Sequence, residues 1–296
     1  MKGKIIKGIA GFYYVYSFEN ACIYTCHAQG KIRDRKLKPL VGDNCRFDIT
    51  DEDKYEGSIT DILQRENELI RPAVSNVDCM MVIFALTNPK PNLYLLDKFL
   101  FFIMHERLKP ILVFNKEDLN PGEKERIRDI YRGFNAPLIF TSAKEGINVD
   151  LLKDMLKGKT TAVAGPSGVG KSTLINAIVG KQIMETGDIS KKTQRGKHTT
   201  RHTEMFEFDV DGVDSFILDT PGFSSFYLPT LHEQERASDY YPEFLEYSSK
   251  CRFNACIHDR EPDCKVKEAV EDGKISRERY ENYLKILSEI KSNYRF

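Results

Sequence analysis

Short runs of apolar, aromatic and β-branched residues, broken by polar positions, recur near the start of the chain at 5–9, 12–18, 21–26, 45–49 and 58–63. Separated by turn signals such as Gly30, Gly42-Asp43 and Glu56-Gly57, these β-type runs predict five strands closing into a small antiparallel barrel of OB-like form. From residue 77 the pattern changes. Apolar runs at 77–86, 110–114, 138–140 and 161–164 read as strands covered on both faces, and helical periodicities at 93–107, 123–134 and 148–156 separate them. This alternation predicts a mostly parallel sheet with helices on both faces, whose ligands lie at the carboxyl ends of the strands. Strand-like runs at 204–210 and 214–218, joined by Asp211-Gly212, predict a hairpin. Residues 180–202 show no periodicity and read as a mobile basic loop. At the end of the chain Tyr280, Tyr283, Leu284, Leu287 and Ile290 recur at helical spacing and predict a packed helix over 276–290. The expected fold is multidomain α/β: a barrel at 1–67, a nucleotide-binding α/β domain at 68–228 and a metal-binding helical module at 229–296.

Composition narrows the class without naming a ligand. Hydrophobic residues make up 41% and charged residues 30% of the 296, and Lys+Arg equals Asp+Glu at 44 each. Any nucleic-acid contact therefore rests on local patches rather than a global field. One such patch, Lys31, Arg33, Arg35, Lys36 and Lys38, falls in a predicted loop near tyrosines and phenylalanines, a combination suited to RNA backbone and stacked bases. The apolar stretches at 80–86 and 99–104 are far short of a membrane span, and residues 1–8 carry no signal-peptide core, so a cytoplasmic protein with no membrane partner is expected.

The chemistry concentrates in a few motifs. Gly165-Pro166-Ser167-Gly168-Val169-Gly170-Lys171-Ser172-Thr173 lies between a predicted strand and a predicted helix with G-x-x-x-x-G-K-S spacing. Backbone N–H groups there can cradle phosphates, Lys171 can reach the terminal phosphates, and the Ser172 hydroxyl can hold Mg²⁺. Two other strand ends carry matching groups: Asn115-Lys116-Glu117-Asp118, and Ser142-Ala143-Lys144 behind Thr141. A carboxylate at Asp118 accepts from guanine's N1–H and exocyclic amine, whereas adenine would leave it desolvated and unpaired. Lys116 can lie against the purine and Asn115 can brace the loops. Downstream, Thr199 and Thr200 follow His198 in the basic loop, and Asp219-Thr220-Pro221-Gly222 ends the hairpin. Asp219 there suits the metal's outer sphere and the Gly222 N–H a γ-phosphate. Last, Cys251, Cys256, His258 and Cys264 offer three thiolates and an imidazole at the spacing of a closed tetrahedral Zn²⁺ site, structural rather than catalytic.

The order of these motifs, base reader first, then Ser-Ala-Lys, cradle, switch threonines and Asp-Thr-Pro-Gly, is the small-GTPase order rotated. It resembles the circularly permuted GTPases. With a barrel in front and the cysteine–histidine module behind, the whole chain resembles the ribosome small-subunit-dependent GTPase family (RsgA, YjeQ/YloQ). That resemblance implies a monomeric bacterial cytoplasmic GTP hydrolase that binds the small ribosomal subunit and its rRNA late in maturation, hydrolyses GTP to GDP when docked, and leaves. It also implies one structural zinc on Cys251, Cys256, His258 and Cys264, and Mg²⁺ on Ser172 and Thr200. Phe223 follows Gly222 where Ras-like enzymes place a water-orienting glutamine, and an apolar ring cannot orient water. His198 is the catalytic candidate that the family pattern supplies. Two other readings stand beside this one. In the first, GTP gates an rRNA-binding scaffold whose hydrolysis is vestigial. The second is a P-loop ATPase or nucleotide kinase, against which Asn115-Lys116-x-Asp118 argues.

Overall fold

In the computed structural model, β1 (Lys2–Ile9), β2 (Phe12–Ser17), β3 (Ile23–Ala28), β4 (Asn44–Asp51) and β5 (Glu56–Ile62) form a closed barrel in the order β1-β2-β3-β5-β4-β1. The structure describes residues 1–30, 32, 37–70, 72–184, 203–219 and 228–293. Lys31, Arg33, Arg35 and Lys36 of the basic patch, most of the 180–202 loop with His198, Thr199 and Thr200, and Thr220 to Phe223 lie outside the described residues. The barrel is not antiparallel throughout as the β-type runs suggested: β3 and β5 run parallel. A ring of five strands cannot alternate direction all the way round, so one neighbouring pair must be parallel. Ile5, Val15, Tyr24, Cys26, Phe47 and Ile59 fill its core, each from the inward side of the pleat.

A short hairpin, β6 (Glu68–Ile70) with β7 (Ala73–Ser75), leads from the barrel into a second unit. There β8 (Cys79–Ala85), β9 (Lys109–Asn115), β10 (Leu138–Phe140), β11 (Thr160–Ala164), β12 (Glu204–Val210) and β13 (Val213–Asp219) line up as β10-β9-β8-β11-β13-β12. The first five in that row are parallel and β12 is antiparallel to β13. All seven residues of β8 are buried. Met80, Val82 and Phe84 face α1 (Leu93–His105) and α2 (Lys124–Tyr131), while Cys79, Met81, Ile83 and Ala85 face α3 (Val149–Met155) and α4 (Lys171–Val179). A strand with helices on both sides has no polar face, which is why it reads as a continuous apolar run. The C-terminal module holds α5 (Pro242–Ser248), α6 (Lys265–Glu271) and α7 (Arg277–Asn293). Residue spacing predicts α7; α5 and α6 are one or two turns each, too short for periodicity to reveal. No described helix is long and apolar enough to cross a membrane.

The barrel is fastened to the sheet rather than tethered. Its β1 adds to the outer edge of β12 at Lys7↔Glu204, where the side chains pair at 2.8 Å, and Tyr16 Oη donates to Asp214 Oδ1 at 2.8 Å. On the other side Asp43, fully buried, accepts from Arg65 Nε at 2.7 Å and Ser75 Oγ at 2.6 Å, joining barrel, linker and hairpin. Lys4 is buried in this seam with its ammonium on Gly42 O at 3.3 Å and 5.4 Å from the Phe216 ring centre. Burial lowers its pKa from 10.5 to about 8, against the pull of Asp78, Asp43 and Glu66.

Between those two values the unfolded chain binds a proton that the folded chain has released, so Lys4 adds stability as pH rises through that window and adds least below pH 8. The unfolding free energy of wild type relative to Lys4→Met is expected to rise between pH 7.5 and 10.5, by on the order of 3 kcal/mol. Denaturant titrations at several pH values check this, and a difference that stays flat with pH would contradict it.

Candidate functional site

Five neighbouring strands, β10, β9, β8, β11 and β13, run parallel, so their carboxyl ends share one edge of the sheet. The loops leaving β9, β10, β11 and β13 carry motifs, and the first three lie among the described residues. Asn115, 3% exposed at the end of β9, joins them. Its Nδ2 donates to Val169 O in the cradle at 3.0 Å, and its Oδ1 accepts from Ala143 N at 3.0 Å and Thr141 Oγ1 at 3.2 Å. One amide thereby fixes the spacing between the cradle and the Ser-Ala-Lys loop. Two glycines make this approach sterically feasible. A Cβ on Gly170 would lie 2.4 Å from Asn115 Nδ2, and one on Gly165 would lie 2.1 Å from Ile83 O of β8; their φ angles, +92° and +144°, are also ones that residues with a side chain rarely adopt.

Lys116 takes a left-handed conformation and donates its ammonium to Gly168 O at 2.7 Å and to Asn88 O. Its stem thus lies across the mouth between the base-reading and phosphate loops. Glu117 pairs instead with Lys124 of α2, away from the cradle. Asp118 is exposed at the rim, and Lys144 is exposed and 3.6 Å from Glu145. Buried Ser142 closes its own loop, exchanging backbone bonds with Ile147 and accepting from Glu145 N through its hydroxyl at 3.3 Å. Lys171 Nζ donates to Gly165 O at 3.0 Å and Pro166 O at 2.8 Å, folded over the loop it opens. Helix α4 starts at Gly170 without a side-chain cap, leaving its first-turn N–H groups directed at the cradle. Half-buried Ser172 and exposed Thr173 lie in that turn, and Asp219 ends β13 beside Val163.

The loop after β8 belongs to the same cleft and carries no motif. Asn88 contributes a backbone carbonyl, which any residue could supply, and Pro89 borders Gly168. Sequence gave no signal for either.

The second cluster lies in the C-terminal module. Cys251, Cys256, His258 and Cys264 present ligand atoms all within 4.8 Å of one another, and the group could hold a metal ion. Cys251 Sγ lies 3.9 Å from Cys264 Sγ and 3.7 Å from His258 Nδ1, and His258 Nδ1 lies 3.3 Å from Cys264 Sγ. Ser248, on α5, sets the imidazole. Its hydroxyl donates to Phe244 O at 2.8 Å, so it is an acceptor for His258 Nε2 at 3.1 Å. That places the ring proton on Nε2 and turns the Nδ1 lone pair to the sulfurs. Burial lowers the His258 pKa, raises Cys256 to about 12 and raises Cys264. A bound cation reverses the cost for the thiols. Tyr280 and Tyr283 of α7 hold the same loop through His258 O at 2.7 Å and Ile257 O at 2.5 Å.

The chain also matches known proteins along its length. A family model described as RsgA GTPase matches residues 62–229, and one described as RsgA N-terminal domain matches residues 2–59. The chain is 48% identical to a protein of Agathobacter rectalis named small ribosomal subunit biogenesis GTPase RsgA, with all of both chains covered. It is 45% identical to the protein of the same name from Alkaliphilus metalliredigens, over 100% of this chain and 99% of that one. Among solved structures it is similar to YloQ, described as a circularly permuted GTPase, with TM-score 0.78 and 33% identity over 99% of this chain and 95% of that one. It is equally similar to YjeQ from Thermotoga maritima, with TM-score 0.77 and 34% identity over 98% of each.

Ser248→Ala is expected to weaken metal binding about 10-fold with the four ligands intact, because the imidazole loses the acceptor that fixes its tautomer. Competition with a chromophoric chelator measures this; unchanged affinity would show that the hydroxyl does not orient the ring.

Proposed function

This chain belongs to the RsgA GTPase family, and from that premise we propose that it is a GTPase of ribosome assembly that docks on the small ribosomal subunit, hydrolyses GTP there and departs with GDP. The observation that carries the reading is the Asn115 amide, which brings a guanine-type reader and a phosphate cradle into one cleft. GTP's base is read by Asp118 and covered by Lys116, with Asn115, Glu117, Ser142, Ala143 and Lys144 shaping that side. Residues 165–173 take the phosphates. Phosphate oxygens are stronger acceptors for an ammonium than the carbonyls of Gly165 and Pro166, so Lys171 transfers to them on binding. Mg²⁺ neutralises phosphate charge, held by Ser172 and Thr200; Thr199, Asp219 and Gly222 complete the γ-phosphate side. With Phe223 unable to orient water, His198 is the residue we assign to it, and turnover is slow until a partner orders that segment.

The metal is proposed as one structural zinc. Tetrahedral zinc with arms of about 2.3 Å to sulfur and about 2.0 Å to nitrogen needs sulfurs about 3.8 Å apart and sulfur to nitrogen about 3.5 Å. The 3.9 Å separation of Cys251 and Cys264 and the 3.7 and 3.3 Å distances from His258 fit that demand. The barrel (1–67) and zinc module (229–296) are the proposed rRNA-contacting units flanking the GTPase unit (68–228), with the basic loop around Lys38 on the barrel. The names of the relatives support the subunit as partner. We place the protein in the cytoplasm as a monomer.

Asp118→Asn is expected to lower GTP affinity by at least 100-fold and to raise affinity for xanthosine triphosphate. Xanthine presents a carbonyl where guanine has its amine, and an amide can donate to it. Equal loss for both nucleotides would refute Asp118 as the base reader. Phosphate release is expected to rise at least 10-fold on adding purified small subunits, to stay flat with large subunits and to vanish in Lys171→Ala. Release unaffected by the small subunit, or undiminished in Lys171→Ala, would refute subunit-coupled hydrolysis.

A further inference from the structure

Helix α1 touches the nucleotide cleft with its leading loop and the zinc module with one side. Asn88 O, in the loop before it, receives the Lys116 ammonium that also binds Gly168 O of the cradle. Asn92 then caps the helix, its Oδ1 accepting from Leu95 N at 3.1 Å. Two stripes run down α1. Leu93, Leu96, Phe99, Leu100 and Ile103 pack on the sheet, whereas Tyr94, Asp97, Lys98 and Phe101 meet the C-terminal module.

The second stripe is held by charge. Asp97 is completely buried and accepts from Arg279 Nη1 at 2.5 Å, Asn282 Nδ2 at 2.7 Å and Tyr131 Oη at 2.9 Å. Arg279, 1% exposed, also reaches Glu243 Oε1 at 2.7 and 2.8 Å and lies 4.8 to 5.3 Å from the ring centres of Tyr241, Phe134 and Tyr131. About two turns beyond Asn282, Glu289 accepts from Tyr94 Oη at 2.6 Å and Lys98 Nζ at 2.7 Å. A buried carboxylate and guanidinium cannot part without stranding a charge, so α1 and α7 shift together or not at all.

Resting on the GTP reading above, we infer that Asp97 is a positioning residue for the nucleotide: its ion pair with Arg279 ties α1 to the zinc module and so sets where the Asn88 carbonyl holds Lys116 over the cradle. Occupancy of the zinc module by RNA then alters guanine-nucleotide affinity, and nucleotide alters the module's grip by the same factor. This connection runs from α7 through α1 and the loop that leads into it.

The test measures dissociation of a fluorescent GDP from the zinc-loaded full-length protein. Asp97→Asn and Arg279→Lys are expected to raise the rate on the order of tenfold. Phe47→Leu, a core change in the barrel far from α1, serves as a stability control and should leave the rate within twofold. The deciding comparison is a double-mutant cycle: in a Lys116→Met background Asp97→Asn should add nothing further, because the group it positions is gone. Should Asp97→Asn fail to fold, Tyr94→Phe, which removes only the hydroxyl on Glu289, carries the same cycle with a smaller effect. An unchanged rate, or an equal rise with and without Lys116, would overturn the inference and leave the GTP reading intact. Absence of any GDP binding by folded wild type would overturn both.

Discussion

A buried carboxamide must satisfy its donors and its acceptor or it destabilises the place where it sits. Asn115 meets that demand by spending them on two other segments: the cradle through Val169 O, and the loop after β10 through Ala143 N and Thr141 Oγ1. Because each partner is a fixed backbone or buried hydroxyl group, the distances between loops are set before any ligand arrives. Glycine at 165 and 170 is the counterpart of that arrangement. With a Cβ at either position the cradle would be pushed off Ile83 or off Asn115, and the phosphate and base sides would lose their common frame. Lys116 adds a second strut across the same gap.

The attachment of the outer modules follows a similar rule on a larger scale. Neither is hung on a bare linker. The barrel is held by the Asp43–Arg65–Ser75 group, by the edge pairing of β1 with β12 and by Tyr16 on Asp214. The C-terminal module is held by Asp97, Glu243 and Arg279 among aromatic rings. Both seams mix buried charge with apolar packing. Charge in such a seam is costly when only half is present, so it selects one docked geometry over a range of greasy alternatives. Lys4 shows the cost directly, since burial there lowers its pKa from 10.5 to about 8.

Much of this was legible in the chain. Strand–helix alternation from residue 77 gave the parallel sheet, and the loops after β9, β10 and β11 lie together, joined by Asn115. The four ligands Cys251, Cys256, His258 and Cys264 also fall together. What stayed hidden has physical reasons. Asn88 acts through a main-chain carbonyl, and Ser248 acts through one hydroxyl on a two-turn helix; neither interaction leaves a residue-type signature. The parallel β3–β5 pair depends on ring closure, a global constraint that local runs do not encode. Asp97 is a single carboxylate in a mostly apolar helix, and its partner Arg279 lies far along the chain. Periodicity marks α7 as packed but does not say against what.

The rotated motif order has a geometric consequence that the sheet makes plain. The cradle strand β11 lies between β8 and β13. The barrel enters the sheet through β8, and the chain leaves it for the C-terminal module after β13, so each outer module is wired to an immediate neighbour of the strand that bears the phosphate loop. The rotated order therefore places both junctions on the strands that flank the cradle strand. The C-terminal module then folds back on α1, which follows β8, and so closes a loop of contacts from β8 through α1 and α7. A closed loop of this kind resists independent motion of any one member, and load on that module is borne by the helix that holds Asn88 against Lys116 rather than by the linker alone.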